Sequence, residues 1–232
     1  MLNEPDDDLQ PKTKEAIVYE KLKQFLLEGR IPTREVLFQR TLASMVDAAV
    51  ITVRGALRLL ENDGLIENVP HWGVRVPPET RATLKDRYYV RRLFEMEAVR
   101  QIVRNRATLD PEPLLQLARR CDHIDTDPEG DHLEFGRVHA QLHREIVAMA
   151  GSPLMSQMFE RISLQGLFYW NAYRTWQATD SRYLGDHEAF IDHIFSRDEE
   201  DVVEEMRQHL ERGLANELRE FDRQRGAAVE DR

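Results

Sequence analysis

The sequence has little of what marks disulfide-bonded, exported or membrane-spanning proteins. It contains one cysteine, Cys121, so an internal disulfide is excluded and a reducing compartment is favoured. It has no run of about 18 apolar residues that would span a bilayer. The first eleven residues, MLNEPDDDLQP, are acidic and polar, whereas a signal peptide is basic and then apolar. We therefore expect a cytoplasmic protein with no membrane partner.

The sequence also lacks the net positive charge of proteins that coat nucleic acid. Its 32 Lys and Arg residues and 42 Asp and Glu residues give a formal net charge of -10. The charge is divided unevenly, because residues 12 to 77 carry 10 basic and 8 acidic residues, a net of +2. An average over the chain can hide a basic face, so contact with DNA is permitted in this segment and disfavoured elsewhere.

The length of 232 residues, 41% of them hydrophobic, favours two domains. In the first, apolar residues recur at helical spacing over residues 13 to 28, 35 to 46 and 51 to 62. The connection between the second and third of these segments is only four residues long, which is typical of a helix-turn-helix.

A hairpin pattern follows these three helices. The run LIENVPHWGVRVPP places a Pro-x-x-Gly turn between two short segments rich in β-branched residues. A β-hairpin directly after a helix-turn-helix is the wing of a winged helix, and Pro77 with Pro78 gives a stiff exit. We therefore predict a winged helix-turn-helix domain, three helices plus a hairpin wing, over residues 12 to 78.

Beyond Pro78 only helical periodicity remains. The predicted helices cover residues 81 to 106, 111 to 122, 130 to 150, 153 to 177, 181 to 196 and 199 to 221. We predict a mainly α protein whose C-terminal domain, residues 79 to 223, is an antiparallel all-α bundle of about six helices that can enclose a cavity. Residues 1 to 11 and 224 to 232 are expected to be flexible tails.

Four of the eight histidines suggest a site inside this bundle. HAQLH places His139 and His143 four residues apart on one helix face, and His187 and His209 lie on two later amphipathic helices. Imidazoles that converge from facing helices bind borderline ions such as Zn²⁺ and Ni²⁺. The spacing alone leaves open whether these are metal ligands or ordinary core and surface histidines. It is not the HExxH motif of a metalloprotease, because Ala140 replaces the glutamate.

The first helix of the bundle carries Arg91, Glu95 and Arg100 at helical intervals beside apolar residues. Such charges usually form a solvated face with local ion pairs. A buried arginine, however, binds a carboxylate through two parallel hydrogen bonds. Arg91 is therefore a candidate for binding an acidic ligand, and the pattern alone leaves both interpretations open.

These segments together resemble the GntR family of bacterial regulators, in its FadR-type branch with a helical ligand-binding domain called FCD. The resemblance covers about residues 16 to 220. In the first domain it is carried by VYEKLKQFLLEGRI, LFQRTLASMV and, most specifically, ALRLLENDGLIE. In the second it is carried by FEMEAVRQIV, HREIVAMAGSPLM, DHEAFIDHI and EEMRQHLERG.

The resemblance implies a metal site with a neighbouring effector. In FCD domains a carboxylate and three histidines bind the metal, and His143, His187 and His209 fall on the histidine positions. His139 stands where the family has an aspartate, so the implied site is all-nitrogen and more neutral. We expect a divalent metal ion, zinc or nickel. Arg91 falls on the arginine that often faces the effector, here a small carboxylate.

The resemblance also implies contacts to double-stranded DNA. The residues that match positions approaching DNA are Arg40, Thr52, Arg54, His71 and Gly73. Val50 stands where the family usually has an arginine, so an unusual operator or weaker binding is expected. Because one winged helix contacts one half-site, we expect a homodimer on a near-palindromic operator.

The sequence thus predicts a transcription regulator, a repressor, whose operator binding is modulated by a small carboxylate bound near a metal ion. A direct metal sensor, in which the four histidines are the input and no organic ligand is needed, is an alternative. A metal-dependent enzyme is a third, and it is disfavoured because no general base accompanies the histidines and a helix-turn-helix would have no use in it. We therefore expect that the protein is not an enzyme.

Overall fold

The computed structural model describes residues 13 to 31, 35 to 126, 132 to 172 and 186 to 230, and it divides into two units, residues 1 to 78 and 79 to 232. The elements of the first unit are α1 (Lys14–Leu27), α2 (Gln39–Val46), α3 (Val50–Asn62), β1 (Glu67–Val69) and β2 (Gly73–Arg75). Those of the second are α4 (Arg81–Asn105), a 3-10 turn (Arg106–Thr108), α5 (Glu112–Thr126), α6 (His132–Met149), α7 (Pro153–Ala172), α8 (His187–Ser196) and α9 (Glu199–Glu230). The prediction of a mainly α protein with a winged helix followed by six helices is confirmed in these ranges.

The first unit packs its three helices around an aliphatic core. The Thr13 side chain accepts a hydrogen bond from the Ala16 backbone amide and so caps α1. Asp47 ends α2 in the left-handed conformation, with φ of 52°, which makes the tight turn into α3 possible. The largest fully buried side chains of this unit are Leu22, Leu26, Leu42, Leu60 and Leu65.

The second helix begins later than its sequence pattern predicts. α2 starts at Gln39, whereas apolar periodicity places its start at residue 35. Leu37 instead pairs with Val74 of the wing, through two backbone hydrogen bonds of 2.8 and 3.0 Å. The backbone groups of Leu37 are thus satisfied by a strand far away in the sequence, which local periodicity cannot reveal.

The wing depends on one glycine. β1 and β2 pair antiparallel, with Val69 opposite Gly73. Gly73 has φ of +126°, and a Cβ at this position would lie 2.2 Å from the carbonyl oxygen of Leu37. Only glycine fits such an approach, so Gly73 has a structural reason to be present independent of any contact to DNA.

The second unit is a helical bundle in which α4 and α9 pack along each other and α6 packs between α5 and α7. Thr80 starts α4 with a capping box that it shares with Thr83. Asp186 caps α8 by accepting from the Ala189 amide, and α9 continues to Glu230, past the predicted end at Phe221. The predicted helical residues 173 to 177 and 181 to 185 lie outside the described residues.

Apolar side chains of all six helices form one continuous core in this unit, and Cys121 is buried within it. Its most completely buried members include Ala98, Val99, Ile102, Leu142, Ile146, Ile191, Ile194 and Met206. None of the helices in the described part of the chain is long and apolar enough to cross a bilayer.

Candidate metal centre and ligand pocket

Four histidines from three helices meet inside the second unit. His139 and His143 lie on α6, His187 is the first residue of α8, and His209 lies on α9. The ring centroid of His139 is 4.4 Å from that of His143, 5.2 Å from that of His187 and 5.8 Å from that of His209. His143, His187 and His209 are buried, and His139 is partly buried. The structure thus brings all four predicted ligands together.

Three of these histidines turn the same nitrogen toward one another. The Nε2 atom of His143 is 3.1 Å from that of His139 and 3.3 Å from that of His209. Two nitrogens bound to one tetrahedral zinc ion at its usual distance are about 3.3 Å apart. These two separations are therefore those of ligands that share a single ion, and the ligand atoms of all three rings lie within 4.8 Å of one another.

The fourth histidine, His187, stands next to the trio. Its ring centroid is 5.5 Å from that of His209. Its Nε2 atom is buried and has no hydrogen-bond partner among the residues that the structure describes. A buried polar atom without a partner is costly, so an atom left in this state at the edge of a histidine cluster fits a ligand that binds there.

Carboxylates outside the cluster hold two of the rings. His143 Nδ1 is hydrogen-bonded to Glu95, and His187 Nδ1 is 2.6 Å from Asp122 Oδ1. When a carboxylate accepts a hydrogen bond from Nδ1–H, the ring is neutral and its lone pair is on Nε2. This is the form of histidine that binds a metal through Nε2. Asp122 also accepts from the backbone amides of His187 and Glu188, which fixes the start of α8.

Burial keeps three of the four histidines neutral. Burial lowers the pKa of His139 and of His209 well below the ordinary imidazole value, and the nearby His143 lowers both further. Burial also lowers the pKa of His143, against the opposing effect of Glu95. Burial alone would raise the pKa of Glu95, but Arg91 and His143 outweigh it and the net pKa is lowered. At neutral pH His139, His143 and His209 are therefore neutral imidazoles, with the ionised carboxylate of Glu95 behind His143.

A cavity of about 60 Å³ opens beside the histidines. Its volume has room for about four water molecules or a ligand of similar size. His139 and His143 line one part of it, and Arg91, Phe159 and Asn216 line others. A small molecule in this cavity would meet imidazoles, an arginine, an amide and an aromatic ring together.

Arg91 is placed to offer two donors to this cavity. Its side chain is 14% exposed, its Nε donates to Glu95 over 2.8 Å, and its guanidinium lies 4.8 Å from the Tyr88 ring centroid. Burial lowers its pKa, but Glu95 raises it to a net value above the usual one, so Arg91 stays charged. Its two terminal nitrogens form no hydrogen bond with any residue in the described ranges.

Sequence reasoning missed three polar residues around this site. Asp122 has no spacing relation to His187 that would reveal their contact.

Asn216 lies two helical turns after His209 and so on the same face of α9, a spacing that points to it. Its Oδ1 accepts from Arg219, while its buried Nδ2 has no partner among the described residues. Arg87 also lines the cavity, but Glu79 and Glu217 hold it, at 2.6 and 2.9 Å.

The residues predicted to approach DNA lie on three elements of the first unit. Arg40 is exposed on α2, and Thr52 and Arg54 lie near the start of α3, Thr52 half-buried and Arg54 exposed. Arg54 Nε donates to Gln39 over 3.3 Å, which connects the beginnings of α3 and α2. His71 is in the turn of the wing, with φ of 68°. Next to it, Trp72 is 64% exposed, an aromatic side chain that the sequence analysis did not single out.

Two family models match the chain. The model described as bacterial regulatory proteins, gntR family, matches residues 14 to 76, and the FCD domain model matches residues 86 to 212. A curated relative, the HTH-type transcriptional regulator BphR of Paraburkholderia xenovorans (strain LB400), is 24% identical over 205 residues, which are 85% of this chain and 82% of BphR.

Solved structures of similar fold cover nearly the whole chain. A GntR transcriptional regulator from Rhodococcus sp. RHA1 has a TM-score of 0.72 and 18% identity, covering 89% of this chain and 98% of its own. McbR/YncC of E. coli has a TM-score of 0.71 and 18% identity, covering 91% of this chain and 100% of its own. At this level of identity the two structures establish a shared fold.

Proposed function

Because the chain belongs to the GntR family of bacterial regulatory proteins, in the group with a C-terminal FCD domain, we propose that it is a repressor controlled by a small carboxylate bound beside a divalent metal ion. The family consists of transcription regulators that bind DNA, and not of enzymes, so regulation through DNA binding follows from membership. The proposal adds the direction of regulation, the metal and the ligand.

The observation that carries the proposal is the geometry of the Nε2 atoms. Their separations of 3.1 and 3.3 Å, together with a buried His187 Nε2 that has no partner in the described part of the chain, fit a shared ion better than a packed core. His139, His143, His187 and His209 would hold the metal, and an all-imidazole set favours zinc or nickel. When bound, such an ion supplies positive charge, and by expanding beyond four ligands it offers a position that a carboxylate oxygen can occupy.

The chain's own residues account for recognition of the carboxylate. The two Nη atoms of Arg91, which have no hydrogen-bond partner among the described residues, would donate parallel hydrogen bonds to the oxygens of the ligand. Asn216 Nδ2, a buried donor without a partner in the described structure, would bind a further oxygen of the ligand. This second donor favours a ligand with another polar group, such as a hydroxy acid or a dicarboxylate.

On the DNA side, we assign contacts to Arg40, Thr52, Arg54, His71 and Gly73. Residues near the start of a recognition helix approach base edges, while arginines and the wing reach phosphates or the minor groove. GntR-type regulators commonly act as dimers, and we propose a cytoplasmic homodimer on a near-palindromic operator. Ligand binding would change operator affinity by favouring one of two arrangements of the DNA-binding units.

A direct metal sensor is the second candidate. It is favoured by one specific observation. Within the described residues no carboxylate joins the inner histidine group, since Glu95 and Asp122 contact only the Nδ1 atoms. A neutral ligand set leaves the ion's charge uncompensated, so occupancy alone would alter the field in the cavity.

The proposal is tested by measuring operator affinity with fluorescence anisotropy, using the full chain and a duplex from its own promoter. Metal-free protein is titrated without ligand, and protein loaded with zinc is titrated without ligand and with acetate, lactate or malonate. We expect at least one carboxylate to weaken operator binding by tenfold or more. Arg91→Lys keeps the positive charge beside Glu95 but loses the planar guanidinium. This variant should therefore need a much higher ligand concentration for the same loss of operator affinity.

Arg81→Lys is the matched control, because Arg81 lies exposed on the same helix and away from the cavity lining. It should respond to the carboxylate as the wild type does. If zinc changes operator affinity and no carboxylate does, the metal sensor replaces the proposal. If neither has any effect, both are wrong.

A further inference from the structure

The outward face of α3 combines positive charge with one conspicuous apolar side chain. Ile51, Arg54 and Arg58 are all exposed and lie three and four residues apart, so they form one stripe along the helix. The opposite face is buried in the core of the first unit through Val53, Ala56, Leu57 and Leu60. Ile51 is 70% exposed, more than any other large apolar residue in the described ranges.

The start of α3 is poorly suited to helix formation. Its N-cap is Ala49, which offers no side-chain hydrogen bond, and β-branched Val50 and Ile51 fill the next two positions. Alanine is a weak N-cap and β-branched residues are mediocre helix formers. Val50 is half-buried, but Ile51 is exposed and contributes little to the core, so its presence here is more readily explained by a partner than by stability.

The charges around Ile51 define what that partner is. Arg40, Arg54 and Arg58 form no ion pair with any residue in the part of the chain that the structure describes, so they are available to an anionic partner. Duplex DNA supplies phosphates, and its major groove also displays one apolar group on the base edges, the C5 methyl of thymine.

We propose that Ile51 is a specificity residue that reads thymine by contacting its C5 methyl in the major groove, flanked by the phosphate or base contacts of Arg54 and Arg58. The proposal rests on the DNA-binding function and adds a base preference to it. Each operator half-site then carries a thymine opposite the first turn of α3.

The test removes only the methyl group from the DNA. The operator is first selected from a random duplex library with the full-length protein, and each thymine of the selected half-sites is then replaced in turn by deoxyuridine. Replacement at one position should weaken wild-type binding about fourfold for each methyl lost, as expected for burial of one methyl group. Ile51→Ala should bind the thymine and deoxyuridine duplexes equally.

Leu59→Ala is the matched control. Leu59 is also an exposed apolar residue of α3 but lies in its last turn, so this variant should keep the wild-type ratio between the two duplexes. Because both side chains are exposed, neither variant should lower the melting temperature.

The possible failures are distinguishable. If the protein selects no sequence from the library, specific DNA binding fails and the proposal fails with it. If it selects an operator but tolerates deoxyuridine at every position, or if Ile51→Ala keeps the wild-type ratio, only thymine readout is overturned. It is also overturned if Ile51→Ala changes the oligomeric state at unchanged operator affinity, because the side chain then serves a protein interface.

Discussion

At the scale of single residues, substitution of Asp122 tests whether the carboxylates that contact the histidine Nδ1 atoms strengthen metal binding. It accepts from His187 Nδ1 over 2.6 Å and so sets which nitrogen of that ring faces inward. Asp122→Asn should weaken zinc affinity by about 10-fold to 100-fold, which is typical for loss of such a partner. The measurement is a competition titration against a chromophoric chelator. Asp110→Asn, on the loop before α5, is the control, and equal affinity in both variants would remove Asp122 from the site.

A second residue-scale prediction concerns pH. In the folded, metal-free protein, burial holds the pKa values of His139 and His209 well below 6.5, while in the unfolded chain both titrate near 6.5. Below pH 6.5 the unfolded chain therefore binds more protons, and the free energy of unfolding falls by up to about 1.4 kcal/mol per pH unit for each histidine. Well above pH 6.5 both histidines are neutral in the folded and the unfolded chain, and this part of the free energy of unfolding is fully present.

Urea denaturation of chelator-treated protein between pH 7.5 and 5.5 measures this dependence. His139→Asn removes one titrating group, so its free energy of unfolding should fall less steeply with pH than that of the wild type. Parallel curves for the two proteins would show that His139 titrates alike in the folded and unfolded chains.

Arg54 provides the corresponding prediction for DNA. It lies exposed near the start of α3 and is oriented by Gln39. Arg54→Ala should cost about 1 to 3 kcal/mol of operator affinity if it makes a bidentate base contact, with little change on random DNA. Band shifts on both duplexes decide this. An equal loss on operator and random DNA would indicate a phosphate contact instead.

At the scale of elements, two arginines of α4 form ion pairs with α9 in opposite environments. Arg87 is buried between Glu79 and Glu217, whereas Arg81 pairs with Asp222 in the open. Arg87→Met leaves buried carboxylates uncompensated and should cost about 3 to 5 kcal/mol of stability. Arg81→Met should cost less than about 1 kcal/mol. Chemical denaturation compares them, and equal costs would mean that the Arg87 network is well solvated.

The same helices show how much of the fold and of the site can be predicted from local sequence. Apolar periodicity predicts all the described helices, because their cores are built from residues spaced three and four apart. It misplaces the start of α2, since Leu37 pairs with Val74 across the sequence. The convergence of the histidines is foreseeable from helix faces and the family resemblance. The contact of Asp122 with His187 depends on how α5 packs on α8, which no spacing encodes.

At the scale of the whole molecule, the family supplies a DNA-binding unit and a helical unit, and the residues of this chain adjust both. His139 gives the cluster a fourth imidazole in place of a family carboxylate, which makes zinc or nickel the expected ion. Val50 and Ile51 give α3 an apolar start, and on the proposal made above Ile51 would change the bases that it can read. Metal chemistry and operator sequence are therefore where this regulator should differ from its relatives.

The metal content of the purified protein tests the central claim most directly. Protein expressed without a histidine tag is dialysed and examined by elemental analysis, with His143→Ala and, as a control, His123→Ala, whose histidine lies exposed on α5. We predict about one zinc or nickel ion per chain in the wild type and His123→Ala, and none in His143→Ala. Absence of stoichiometric metal from the wild type, with no rise in melting temperature when Zn²⁺ or Ni²⁺ is added, would contradict the account.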